Sequence, residues 1–222
     1  MPSLFSRYDL AQPVSGVTAT RVATAEDPLR LAVFISGSGS GMEALLIHQE
    51  AKPCAHKTSL VLSNVADVAG LAKAEAHGIE TTTIELDKSI SDRTERRESH
   101  EMEIMLALEE HSIETVILSG YMRILSPVFV REWKGRLLNI HPSLLPKYPG
   151  AHAHRDALAD GATVTGCTVH LVDEGVDSGP ILAQRQLNIH PDDDENSLSE
   201  RVKVLEHQLY PEVIDAYAIN SH

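Results

Sequence analysis

The chain has 222 residues, a formal net charge of -13, an apolar fraction of 42% and a charged fraction of 23%. That length suits one well-buried α/β domain and is short for two, and the acidic balance excludes a broad nucleic-acid surface, which needs clustered Lys and Arg. No apolar run reaches the roughly 18 residues of a membrane span, so a soluble protein with no membrane partner is expected; Cys54 and Cys167, far apart and without a CxxC pattern, point to a reducing compartment such as the cytoplasm.

Residues 1–29 have neither the basic start nor the apolar core of a signal peptide and show no periodicity. They read as a flexible arm ahead of a single domain over 30–222. Leu31 to Ile35 is a continuous apolar run that breaks into SGSGSG and then into an amphipathic stretch from Met42 to Gln49. This predicts strand, glycine turn and helix, the opening of a βαβ unit. Successive backbone N–H groups around Gly39, Ser40 and Gly41, at the start of that helix, make an anion site suited to a phosphate monoester. No GKS or GKT follows, so the loop is not built for ATP. Read from Gly39, GSGMEA matches the GxGxxA form of the dinucleotide fingerprint. The next strand ends in Asn64 and not in an acid suited to a ribose, which ranks a nicotinamide-dependent oxidoreductase well below a phosphate-binding enzyme.

Further apolar runs at Ser59 to Leu62, Thr82 to Ile84, Thr115 to Leu118 and Leu137 to Ile140 alternate with helical patterns at Val68 to Ala76 and Arg93 to Glu110. The expected fold is a Rossmann-like, mostly parallel sheet with helices on both faces. Thr165 to Val172 and Ile181 to Leu187 alternate better, so a mixed or antiparallel C-terminal extension is expected, joined by the DEGVDSGP loop. The acidic PDDDENS segment then precedes a helix from about Leu198 to Tyr217, with Val202, Leu205, Leu209 and Val213 as its apolar stripe.

The densest chemical signal is the run from Asn139 to Gly150, NIHPSLLPKYPG, with Asp177 downstream. At a strand end, Asn139 and His141 face one side and Ile140 the other. Amide, imidazole and carboxylate together suit acyl-type transfer, where a tetrahedral intermediate needs donors for its oxyanion and a group that manages protons. A carboxylate beside the imidazole favours the charged ring. No serine or cysteine sits in a nucleophile elbow, so direct transfer between two bound substrates is expected.

These motifs, with ISGSGS and GYMRILSP, resemble the phosphoribosylglycinamide formyltransferase family over Leu31 to Tyr217, folate-dependent enzymes of purine biosynthesis. The resemblance implies transfer of the formyl group of 10-formyltetrahydrofolate to the amine of glycinamide ribonucleotide, with no metal and no nucleotide cofactor. It implies that Asn139 and His141 stabilise the oxyanion while Asp177 holds His141 charged and assists proton transfer. Gly39, Ser40, Gly41, Lys203 and Glu206 are implied for the phosphate and ribose. Arg97, Met122, Arg123, Ile124, Leu125, Asn139, Val172, Asp173 and Asp177 are implied for folate, with His154 and His170 supporting them. One departure stands out. The family commonly carries Asn where this chain has Gly41, so a side-chain donor is missing from the phosphate loop. His152 and His154 in AHAHR have an alternate spacing open to a zinc reading, but the resemblance implies no metal there.

Rival readings share the resemblance. Methionyl-tRNA formyltransferase carries a further C-terminal domain and a different sequence after SLLP, and formyltetrahydrofolate hydrolase an N-terminal regulatory domain that 29 residues are too few to form. Sugar-nucleotide formyltransferases usually carry additional segments. A non-catalytic protein that holds folate or a phosphorylated metabolite is expected to have lost one of Asn139, His141 and Asp177. Monomer and homodimer are equally compatible with the sequence.

Overall fold

The computed structural model describes residues 21–220. In chain order the elements are β1 (Leu29–Ile35), α1 (Ser40–Ala51), β2 (His56–Ser63), α2 (Ala69–Ala76), β3 (Thr81–Thr83), α3 (Arg93–Glu110), β4 (Thr115–Leu118), α4 (Pro127–Glu132), β5 (Leu137–His141), α5 (Ala153–Ala159), β6 (Val164–Leu171), β7 (Ile181–Asn188) and α6 (Glu195–Ile219). The strands form one seven-stranded sheet in the order β3-β2-β1-β4-β5-β6-β7. Pairing is parallel from β3 through β5 and antiparallel from β5 to β6 and from β6 to β7. The expected mostly parallel sheet with an antiparallel extension is therefore what the chain forms.

The continuous apolar run of β1 follows from its central position, because a strand covered on both faces has no solvent side. Leu31, Val33 and Ile35 pack under α1, α2 and α6, with Met42, Leu45, Ala74, Val202 and Leu209. Ala32 and Phe34 face the other layer, with Ile104 and Leu108 of α3 and Phe129 of α4. A fully buried Phe34 is worth about 1.5 to 3 kcal/mol over an exposed one.

Hydrogen bonds from the last helix fix the sheet's carboxyl edge. The buried Tyr210 hydroxyl spans the carbonyls of Leu118 and Leu138, at 3.1 and 2.9 Å. Helix α6 itself starts at a reciprocal cap, with Asp194 accepting from the Ser197 N–H and the Ser197 hydroxyl accepting from the Asp194 N–H.

The arm expected over residues 1–29 lies outside the described residues for positions 1–20. From Arg21 onward the chain is fastened. The Arg21 guanidinium forks onto Glu114 at 2.8 and 3.1 Å, and the Ala23 N–H donates to the Ala218 carbonyl at 3.0 Å. Two helices were not expected, α4 and α5. Helix α4 carries a legible start, Ser126 capping the Phe129 N–H ahead of Pro127 at the first helical position.

Candidate active site

At the carboxyl edge of β5, Asn139 sits opposite His170 of β6 and beside Leu118 of β4. The Asn139 Nδ2 lies 3.2 Å from His170 Nε2, while His170 Nδ1 donates to the Leu171 carbonyl at 2.8 Å. With one ring nitrogen committed as donor, the other accepts from the amide, which fixes the Asn139 side chain and leaves its second N–H for a ligand. His170 thus orients the Asn139 side chain.

His141 is 5% exposed. Its Nε2 donates to the Tyr148 carbonyl at 2.9 Å, and its Nδ1 stands 3.3 Å from Asp177 Oδ2. Both nitrogens face oxygen acceptors, an arrangement fully satisfied only when both carry hydrogen. Tyr148 and Asp177 both have left-handed backbones, at φ 55° and 52°, the first turning its carbonyl and the second its carboxylate toward the imidazole. The other Asp177 oxygen lies 3.7 Å from His170 Nε2, long for a hydrogen bond, and the Gly150 N–H donates to Oδ2 at 2.7 Å. The Asp177 carboxyl is held below its usual range, first by the His170 ring and then by the Gly150 N–H and the His141 ring, against the opposing effect of burial. The fold thus brings together Asn139, His141, Asp177 and His170 from two strands and a loop.

The glycine loop lies at the same edge, after β1, with β4 between it and β5. Gly39 caps α1 at φ 65° without a side-chain bond, and a Cβ there would lie 2.7 Å from the Gly70 Cα. Close packing onto α2 is therefore one reason for that glycine. The first intrahelical bond runs from Glu43 N to Gly39 O. The N–H groups of Ser40, Gly41 and Met42 precede it and have no partner within the helix. Across from them on α6, His207 Nε2 is 3.2 Å from the Ser40 hydroxyl. Burial raises the Glu206 carboxyl to about 7, against the pull of Lys203, whose ammonium pairs with Glu200. Sequence reasoning missed His207, although its i,i+4 spacing from Lys203 places both on one helix face.

The residues expected against folate come from α3, from the segment after β4 and from the loop after β6. Met122 and Ile124 are 77% and 74% exposed, and Leu125 is buried. Exposed apolar side chains of this size, beside a polar site, suit a flat heterocycle. The Met122 N–H donates to the Ser36 hydroxyl at 2.8 Å, and Glu101 of α3 accepts from the Ser126 N–H at 2.7 Å, so the segment is pinned at both ends. Arg97 Nε and the Tyr121 hydroxyl are buried with no partner among the described residues. Burial pushes the Tyr121 phenol up while Arg123 works against it. The Val172 N–H is committed to the Leu137 carbonyl, and Asp173 turns into its own loop, accepting from Gly175 N and Ser178 Oγ. His154 lies on α5, with its Nδ1 buried and unpartnered.

A second histidine cluster occupies the opposite, amino end of the sheet. His48, Cys54, His56 and Asp215 bring potential ligand atoms within 4.8 Å of one another, beside a cavity of about 330 Å³. These residues fit an ion-pair network better than a metal site. Asp215 already accepts from His48, His56 and Lys52, at 2.8, 2.9 and 2.8 Å. Gln49, its oxygen taken by the Thr58 N–H, donates to His56 Nδ1, so the hydrogen of His56 sits on Nε2, the atom a metal would need bare.

Residues 29–214 match the family described as formyl transferase. The chain is 40% identical over 190 residues to the phosphoribosylglycinamide formyltransferase of Escherichia coli, covering 86% of this chain and 87% of that protein. It is 47% identical over 189 residues to the human trifunctional purine biosynthetic protein adenosine-3, covering 85% of this chain but 18% of that much longer protein. The crystal structure of phosphoribosylglycinamide formyltransferase from Brucella melitensis superposes with a TM-score of 0.80 at 42% identity, over 88% of this chain and 98% of that one.

Proposed function

The chain belongs to the formyl transferase family, and from that premise we propose that it transfers the formyl group of 10-formyltetrahydrofolate to the amine of glycinamide ribonucleotide. The products are formylglycinamide ribonucleotide and tetrahydrofolate, a step of IMP biosynthesis. The observation that carries the reading is the convergence of Asn139, His141 and Asp177 at the carboxyl edge of the sheet, the edge that also holds a helix start without a side-chain cap, suited to a phosphate.

In this reading the ribonucleotide phosphate takes the free N–H groups of Ser40, Gly41 and Met42, with the Lys203 charge nearby and Glu206 toward the ribose. The pterin lies against Met122, Ile124 and Leu125, with Arg97, Arg123, Val172 and Asp173 around it. The amine attacks the formyl carbon, a new C–N bond forms, and the carbonyl oxygen becomes an oxyanion. Asn139 donates its second amide hydrogen to that oxygen. His141 donates through Nε2 by exchanging the Tyr148 carbonyl for it. Asp177 holds the imidazole by Nδ1 and passes the proton shed by the amine, through water, toward N10 of the folate, whose bond to the formyl carbon breaks. The two thiols, both free, suit the reducing cytoplasm as its location.

The test is a spectrophotometric assay of tetrahydrofolate release from 10-formyltetrahydrofolate, with and without glycinamide ribonucleotide. Release that requires the ribonucleotide, with one formylated product per turnover, is the expected result. Release without it makes the protein a hydrolase, and no release removes the proposed acceptor.

A further inference from the structure

Ser119 follows β4 directly, at the point where the sheet order reverses, since β1 leads off toward β2 and β4 toward β5. Ligands of open α/β sheets bind at such a crevice. Its N–H is bound to the Phe34 carbonyl of β1 at 2.9 Å, and the residue is 9% exposed. Its hydroxyl has no hydrogen-bond partner among the described residues. A Cβ added at Gly41 would lie 2.7 Å from Ser119 Oγ, and apart from its chain neighbours and its own helix backbone no other atom comes within 4 Å of it. The hydroxyl therefore stands where a side chain of residue 41 would begin, against the first turn of α1 and its three free N–H groups.

We propose that Ser119 is a substrate-phosphate ligand in this chain, its hydroxyl supplying the side-chain donor that Gly41 lacks, and that Ser119 and Gly41 are coupled because only one of them can fill that volume. The proposal rests on the phosphate placement given above. A neutral hydroxyl adds a directed donor without another buried charge.

Ser119→Ala should raise KM for glycinamide ribonucleotide about 10-fold or more, as expected for losing a hydrogen bond to a charged group. Turnover at saturation should stay within about 3-fold, and KM for the folate should not move. Gly41→Asn alone should also weaken ribonucleotide binding by crowding the hydroxyl, whereas Gly41→Asn combined with Ser119→Ala should recover most of the affinity. An unchanged ribonucleotide KM in Ser119→Ala overturns the ligand role. Simple multiplication of the two single effects in the double variant overturns the coupling. Calorimetric titration with ribose 5-phosphate separates this idea from the assigned reaction, because it needs no turnover. Affinity that depends on Ser119 in a protein inactive on the ribonucleotide would keep the inference and discard the reaction; equal affinity in wild type and Ser119→Ala discards the inference.

Discussion

Two clusters in this molecule contain the same residue types, two histidines and an aspartate, and they are built differently. At the amino end, Asp215 projects from α6 and bonds His48 and His56 at 2.8 and 2.9 Å, with Lys52 closing the set. At the carboxyl end, Asp177 sits on a loop in a left-handed conformation, 3.3 Å from His141 and 3.7 Å from His170. The first network is saturated and knits elements together. The second is looser, with both Asp177–imidazole distances longer, and the buried His154 Nδ1, close enough to His141 to feel its charge, has no partner among the described residues. The two clusters share a composition and differ in distance, in saturation and in the element carrying the acid.

The comparison sharpens first at Asp177. Asp177→Asn should lower kcat by about 10²- to 10⁴-fold, the usual worth of a positioned proton-transfer group, with the melting temperature nearly unchanged. Asn139→Leu should follow at about 10²- to 10³-fold in kcat, the loss expected for one oxyanion donor, read from steady-state turnover at saturating substrates.

At the amino end the effects should appear in stability instead. Burial alone would raise the Asp215 carboxyl, but Lys52, His48 and His56 bring it down from 3.8 to about 2. A carboxyl depressed on folding stabilises the native state above its unfolded value, and that contribution is lost as pH falls from 3.8 toward about 2. Burial lowers the His56 pKa despite the pull of Asp215, so the unfolded chain also gains a proton first as pH falls through the ordinary imidazole range. Asp215→Asn should therefore cost on the order of 1 to 2 kcal/mol at neutral pH after screening. It should also flatten the acid limb of a denaturation series while kcat/KM stays within about 2-fold. The smallest effect is expected at Ile124→Ser, a few-fold rise in KM for the folate, since an exposed wall residue loses only part of its contact area.

Much of this was legible in the residues. The apolar runs fixed β1, β4 and β5 to within two residues, because a buried parallel strand shows itself as an unbroken run. Asn139, His141 and Asp177 were readable because rigid proline-flanked segments carry them. The rest depended on tertiary contacts that no local pattern carries. Helices α4 and α5 span 6 and 7 residues, too short for a periodicity to emerge. The anchoring of Arg21 depends on Glu114, 93 positions away. Ser119 meets Gly41 only because β1 and β4 are neighbours. The Tyr148 carbonyl reaches His141 through a backbone angle that Tyr rarely adopts.

The most direct measurement is the ribonucleotide-dependent tetrahydrofolate release of His141→Ala and Asp215→Asn, run beside wild type, with melting curves on the same preparations. The account predicts a loss of at least about 100-fold in kcat for His141→Ala with its melting temperature kept, and near wild-type kcat with a lowered melting temperature for Asp215→Asn. Near wild-type turnover in His141→Ala, or a comparable catalytic loss in both variants, would contradict it.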